Sequence, residues 1–132
     1  MHLDQIKTIA RGLLALLTIA VLYLTLTPHP PQVALDNLPY GDKIEHFTAF
    51  GALAAMARLG FMRIKGWQLL EHLSFLGALI EVAQASPGLA RDCDWHDWLA
   101  DTAGAAVALA ALHVILPRLM HYRPKKQSVT LH

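Results

Sequence analysis

The stretch LSFLGALIEVAQ, residues 73–84, is largely apolar but carries a carboxylate at Glu81 and an amide at Gln84. A charged side chain deep in a bilayer is costly, so such a residue usually faces the interior of a helix bundle and marks a functional site. Glu81 is therefore the first candidate site residue. Its neighbours depend on which polar residues of the other apolar segments lie at the same depth in the membrane.

Composition favours a small membrane protein over a soluble one. The 132 residues are enough for one domain, 55% of them are hydrophobic and only 16% are charged. The mean hydropathy is +0.37, and the apolar residues occur in long runs, as they do in membrane spans. A net charge of +1 gives no indication of nucleic-acid binding, and a single cysteine excludes an intrachain disulfide and a Cys-based zinc site.

Four segments are close to the roughly 20 residues that a bilayer core requires. The first segment could instead be a signal peptide, since Lys7 and Arg11 precede an apolar run, but TPHPP follows that run rather than a small-x-small cleavage site. Proline and glycine in residues 28–41 and 86–94 interrupt helix formation. The sequence therefore predicts an all-α fold, a single-domain four-helix transmembrane bundle, with spans at about 9–27, 43–62, 67–85 and 95–116.

Basic residues predict the orientation of these spans, because cytoplasmic loops are enriched in Lys and Arg. In the four-span arrangement nine of the eleven Lys and Arg residues fall on one side of the membrane: Lys7, Arg11, Arg58, Arg63, Lys65, Arg118, Arg123, Lys125 and Lys126. Both termini are then cytoplasmic, and residues 118–132 form a basic cytoplasmic tail. Eight of the ten acids fall on the outer side, which indicates a cation, a cationic ligand group, or buried acids held by Arg91 and Lys43.

Polar residues of three helices are expected at one level near the outer face. At 1.5 Å per residue, His46 and Glu81 lie roughly 6 Å, and Asp101 roughly 9 Å, inside the outer ends of their helices. Each shares a helical face with small residues, which on membrane helices mark the face that meets another helix. We therefore expect Glu81 to point inward, toward His46 and Asp97 or Asp101.

The same residues carry a resemblance to a known family. DKIEHFTAF at 42–50, EVAQ at 81–84, and Arg91 followed by Asp97 and ADTAG at 100–104 resemble, in order and spacing, the motifs of the VanZ-like family. Asp101 stands where that family often has asparagine. The resemblance implies a small integral membrane protein, tied through the family's namesake to low-level resistance to the glycopeptide teicoplanin, and it implies no particular mechanism.

Each candidate site residue has a structural alternative. Catalytic candidates are His46, Glu81, Asp97 and Asp101, any of which could instead satisfy helix packing. Ligand-binding candidates are Lys43, Gln84 and Arg91. Lys43 could instead simply extend its ammonium group to the membrane interface. Arg91 either neutralises Asp92 and Asp94 or binds an anion through two hydrogen bonds. Asp42 is either a helix cap or a site residue, and Asp94 is interpreted as a cap.

No resident metal or cofactor is expected from the sequence. If a divalent cation binds, His46, Glu81 and Asp97 are the expected ligands, because imidazole and carboxylates suit such an ion. Three functions remain open. The favoured one is a membrane protein that binds or shields an anionic envelope ligand, such as a lipid-linked cell-wall intermediate. The others are an intramembrane hydrolase or transferase acting on such a lipid, and a purely structural bundle. Membrane lipids are further expected partners, and no nucleic-acid partner is expected.

Overall fold

A computed structural model describes residues 2–29, 31, 37–89 and 93–121 and shows four α-helices, with no strand within those residues. They are α1 (Leu3–Leu26), α2 (Gly41–Gly60), α3 (Gly66–Gln84) and α4 (Trp95–His121). The predicted all-helical fold is confirmed, and each predicted segment overlaps one helix. α1 begins earlier than its apolar run because Asp4 in its first turn complements the helix dipole and pairs with Lys7 at 2.9 Å.

Local sequence explains where the helices begin. α1 and α3 start with reciprocal capping contacts, in which Gln5 accepts the His2 amide N–H at 2.9 Å and Gln68 accepts the Lys65 amide N–H at 3.2 Å. α2 follows Tyr40, whose φ of 62° places it in the left-handed region.

Neighbouring helices run in opposite directions. Arg11 near the start of α1 donates from Nε to the Gly60 carbonyl at the end of α2, at 2.9 Å. Gln84 at the end of α3 donates from Nε2 to the Thr25 carbonyl at the end of α1, also at 2.9 Å. The end of α1, the start of α2, the end of α3 and the start of α4 therefore meet at one end of the bundle. We call it the acidic end, since it holds Asp42, Glu45, Glu81, Asp94, Asp97 and Asp101.

α2 is the central helix and contacts each of the other three. Phe50 and Leu53 on α2, Ile80 on α3 and Ala105 on α4 form the middle of the apolar core. At Gly104 on α4, an added Cβ would run into the backbone of Phe47, so only glycine permits this approach of α4 to α2. Close backbone contact between these two helices fixes how their polar residues face each other.

Length and composition make two of the four helices capable of crossing a membrane. These are Leu3–Leu26, with a hydropathy of 2.1, and Trp95–Leu119, with a hydropathy of 1.8. α2 and α3 fail this test because charged and polar residues interrupt them, such as Asp42, Lys43 and Arg58 on α2. Hydropathy therefore identifies two possible spans in the described helices, where the sequence analysis predicts four.

Candidate functional site

A histidine–carboxylate pair joins α2 to α4 at the acidic end. His46 Nδ1 lies 2.9 Å from Asp101 Oδ1, and Asp101 is 0% exposed. A carboxylate can only accept, so Nδ1 carries the donated proton, and in neutral imidazole the free lone pair is on Nε2. Nε2 in turn lies 3.8 Å from Asp97 Oδ2. The pair therefore orients the imidazole with Nε2 directed toward Asp97.

Gly77 on α3 makes room for the buried Asp101 carboxylate. A Cβ at position 77 would lie 2.8 Å from Asp101 Oδ2 and 3.3 Å from its Cβ. Oδ2 itself is buried without a hydrogen-bond partner in the described part of the chain. α3 thus closes over Asp101 and holds it against α2.

Glu81 ties the end of α3 to the start of α4 with only one of its oxygens. Oε2 accepts the backbone N–H of Asp94 at 3.0 Å. Oε1 is buried and has no hydrogen-bond partner among the described residues, in a residue that is only 4% exposed. A buried acceptor without a hydrogen bond destabilises the folded protein, so the unpaired oxygen of Glu81 requires an explanation.

Lys43 is held by three carboxylates. Its Nζ lies 2.7 Å from Asp42 Oδ2, 2.8 Å from Asp94 Oδ2 and 2.7 Å from Asp97 Oδ1. These contacts use all three donors of the ammonium group. The Lys43 ammonium, together with the backbone and side-chain N–H groups of His96, holds the pKa of the Asp94 carboxyl well below its usual range. The structure shows Lys43 holding three acids together, and its predicted ligand-binding role stays a prediction.

The structure brings most of the sequence candidates together. His46, Glu81, Asp97, Asp101 and Lys43 all lie in this one cluster. Gln84 is only 3% exposed and donates to α1, away from the cluster, so its predicted ligand role stays a prediction. Arg91 lies outside the described residues.

The two acids interpreted as caps make different contacts. Asp94 Oδ1 accepts the His96 amide N–H at 2.9 Å just before α4, as a helix-capping residue does. Asp42 lies in the first turn of α2, after Tyr40 as N-cap residue, and its carboxylate contacts Lys43. Asp94 and Asp42 both hold the Lys43 ammonium in place.

A second polar contact between α3 and α4 was not among the predicted site residues. Ser74 Oγ and Thr102 Oγ1 are 2.9 Å apart, and Trp98 Nε1 donates to Ser74 Oγ and to the Ser74 carbonyl, each at 3.1 Å. Ser74 shares a helical face with Gly77 and Glu81, which is the signal that could have revealed it. This contact supports the cluster from one helical turn below Gly77.

Two sets of side chains have ligand atoms close enough for a metal ion. His46, Glu81 and Asp97 each offer one atom within 4.8 Å of the others, and so do Asp42, Asp94 and Asp97. The second set already surrounds the Lys43 ammonium. The first set combines one imidazole with two carboxylates, a combination suited to proton transfer or to a divalent ion.

Comparison with known proteins finds no matching family model, curated protein or solved structure. The resemblance to the VanZ-like family rests on the motifs at 42–50, 81–84 and 91–104.

Proposed function

We propose that this chain is a VanZ-like, four-span protein of the bacterial plasma membrane that binds an anionic envelope ligand at its acidic end. The ligand class is a lipid-linked cell-wall intermediate, and the acidic end faces outward. Three features of the structure support membrane insertion, and one supports a ligand site.

Large apolar side chains are exposed on every helix, although two acids are buried. Asp101 and Glu81 are buried, while large apolar side chains point outward, with Leu16 on α1 65% exposed and Val82 on α3 71% exposed. Outward-facing apolar residues occur on every helix: Leu16, Ile19 and Tyr23 on α1, Ile44 and Phe47 on α2, Phe75, Leu79 and Val82 on α3, and Val107, Val114 and Ile115 on α4. Exposed apolar surface on every helix favours contact with lipid, because a bilayer would cover all four helices at once.

α1 is integrated into the bundle at both of its ends. The Arg11 side chain bonds Gly60 and also lies 4.9 Å over the Phe61 ring, while Thr25 accepts from Gln84. A removable signal segment needs no such contacts, so these bonds favour α1 as a permanent first span. They also join α2 and α3 to α1, one of the two helices that are apolar enough to cross.

Charge segregation supports the orientation. Of the described Lys and Arg residues only Lys43 lies at the acidic end, and the other six are at the opposite end: Lys7, Arg11, Arg58, Arg63, Lys65 and Arg118. By the positive-inside rule that opposite end is cytoplasmic. The acidic end then faces outward, where envelope intermediates are used.

The ligand site is supported by the uncommitted oxygen of Glu81. A purely structural cluster would pair its buried acceptors, whereas Glu81 Oε1 is unpaired, and the Glu81 carboxylate lies close to His46 and Asp97. Arg91 precedes Asp97 by six residues in the sequence. A guanidinium can grip a phosphate with two parallel hydrogen bonds, so we assign the anionic group of the ligand to Arg91.

Lipid mass spectrometry of the purified protein tests this proposal. We expect a phosphorylated polyprenyl lipid to copurify with the wild type and to be lost from Glu81→Gln, which keeps an acceptor for the Asp94 N–H but removes the charge. Glu71→Gln is the matched control, since Glu71 is exposed at the other end of the same helix. Equal amounts of the same lipids in all three proteins would leave only a structural bundle.

An intramembrane hydrolase or transferase is the second candidate function. The His46–Asp101 pair favours it, because a carboxylate-oriented imidazole is a common general base. Incubating the purified protein with the copurified lipid distinguishes the two. Release of phosphate or a head group by the wild type, and none by His46→Gln, would favour the enzyme over the binding protein.

A further inference from the structure

We infer that the acidic end is a binding site for a divalent transition-metal ion, held by His46, Glu81 and Asp97. One atom from each of these residues lies within 4.8 Å of one atom from each of the others. Ligand atoms around a tetrahedral Zn²⁺ at about 2.1 Å lie roughly 3.4 Å apart. Small side-chain rotations therefore bring the three into coordination distance.

Each of the three side chains is fixed through an atom that a metal would not use. His46 Nδ1 bonds Asp101, Glu81 Oε2 accepts the Asp94 N–H, and Asp97 Oδ1 accepts from Lys43 Nζ. The atoms left uncommitted are His46 Nε2, Glu81 Oε1 and Asp97 Oδ2. Metal-binding histidines characteristically donate their other ring N–H to a carboxylate, which sets the tautomer and the direction of the ring. Asp101 has this relation to His46.

The buried oxygen of Glu81 is the independent sign of a missing partner. Asp97 and His46 are each partly exposed, so water can satisfy their free atoms, but Glu81 is only 4% exposed and its Oε1 has no partner in the described structure. A cation between Glu81, His46 and Asp97 would satisfy this oxygen. It would also offset the repulsion between two carboxylates held at close range.

The donor set indicates the class of ion. One imidazole nitrogen and two carboxylate oxygens suit Zn²⁺, Mn²⁺ or Fe²⁺ better than Mg²⁺, which prefers oxygen ligands and retains its waters. Three protein ligands leave coordination positions open. An anionic head group can bind there, and this second part of the inference rests on the proposed function. It explains how so acidic a cluster attracts an anion.

Metal binding can be measured without any lipid. The full chain, purified with a histidine-free tag and stripped with EDTA, is titrated separately with Zn²⁺, Mn²⁺ and Mg²⁺ by calorimetry, and bound metal is counted by elemental mass spectrometry. We expect one Zn²⁺ or Mn²⁺ per chain and much weaker Mg²⁺ binding. Glu81→Gln and Asp97→Asn should each weaken binding at least about tenfold.

Asp42→Asn is the matched control, because Asp42 belongs only to the set of acids around Lys43. It should leave metal affinity unchanged. No stoichiometric binding by the wild type, equal binding by Glu81→Gln, or loss of binding in Asp42→Asn alone would overturn the site. Metal binding without a copurifying anionic lipid would overturn the proposed function and keep the metal site. An anionic lipid that copurifies with a chain that binds no stoichiometric metal would overturn the metal site and keep the proposed function.

Discussion

At the scale of single residues, Glu81 combines a structural oxygen with an unsatisfied one. Glu81→Gln keeps an acceptor for the Asp94 N–H and removes a buried charge that lies near Asp97 and Asp101. Relief of an uncompensated buried carboxylate should stabilise the metal-free protein by about 1 kcal/mol. Thermal unfolding in detergent with EDTA measures this, with the exposed Glu71→Gln as a control that should shift little. A lower melting temperature for Glu81→Gln alone would show that the charge stabilises the helix ends.

Asp94 makes a second residue-scale prediction, about pH. Its carboxyl pKa is lowered from its ordinary value of 3.8 by the hydrogen bond from Lys43, assisted by His96. A lowered pKa gives stability that is complete above the ordinary value and lost only as the pH falls through the lowered one. The difference in melting temperature between wild type and Asp94→Asn should therefore be constant from about pH 7 to about pH 5 and shrink below about pH 4. A difference that already shrinks between pH 7 and 5 would contradict this assignment.

At the scale of helices, Gly104 sets the distance between α2 and α4. Gly104→Ala would force its Cβ against the Phe47 backbone, which cannot rotate away as a side chain can. The helices must separate, which breaks the His46–Asp101 bond. We expect the variant to lose about 3 kcal/mol of stability and to lose metal binding as well. Gly12→Ala on α1 is the control, since its Cβ would meet nothing within 4 Å. Equal melting temperatures for both variants would disprove the close crossing.

Helix number and the level of the polar residues could be predicted from sequence, because both follow from apolar run lengths and a fixed rise per residue. The inward direction of His46, Glu81 and Asp101 also followed, from the small residues that share their faces. The contacts of Lys43 and Gln84 could not be predicted. Asp42 is the sequence neighbour of Lys43, but Lys43 reaches Asp94 and Asp97 only through the packing of α2 against the start of α4. Gln84 bonds the Thr25 carbonyl, one of the last four of α1, and such a backbone acceptor leaves no mark in the sequence.

At the scale of the whole molecule, the separation of acids and bases makes a prediction about topology. Cys93 is the only cysteine, it is exposed, and it lies beside Asp94 at the acidic end. If that end faces outward, a membrane-impermeant maleimide should label native Cys93 in intact cells. Cys93→Ser should abolish the labelling.

The opposite side is tested by adding a cysteine to the chain that lacks Cys93. Gln127→Cys lies in the basic tail beyond α4 and should react only after the membrane is permeabilised, because the positive-inside rule places that tail in the cytoplasm. In a four-span bundle residues 93 and 127 lie on opposite sides, because α4 lies between them. Labelling of both positions in intact cells would mean that α4 does not cross. Labelling of position 127 alone would reverse the bundle, and the acidic end would then face the cytoplasm, where it could not meet a ligand on the outer surface.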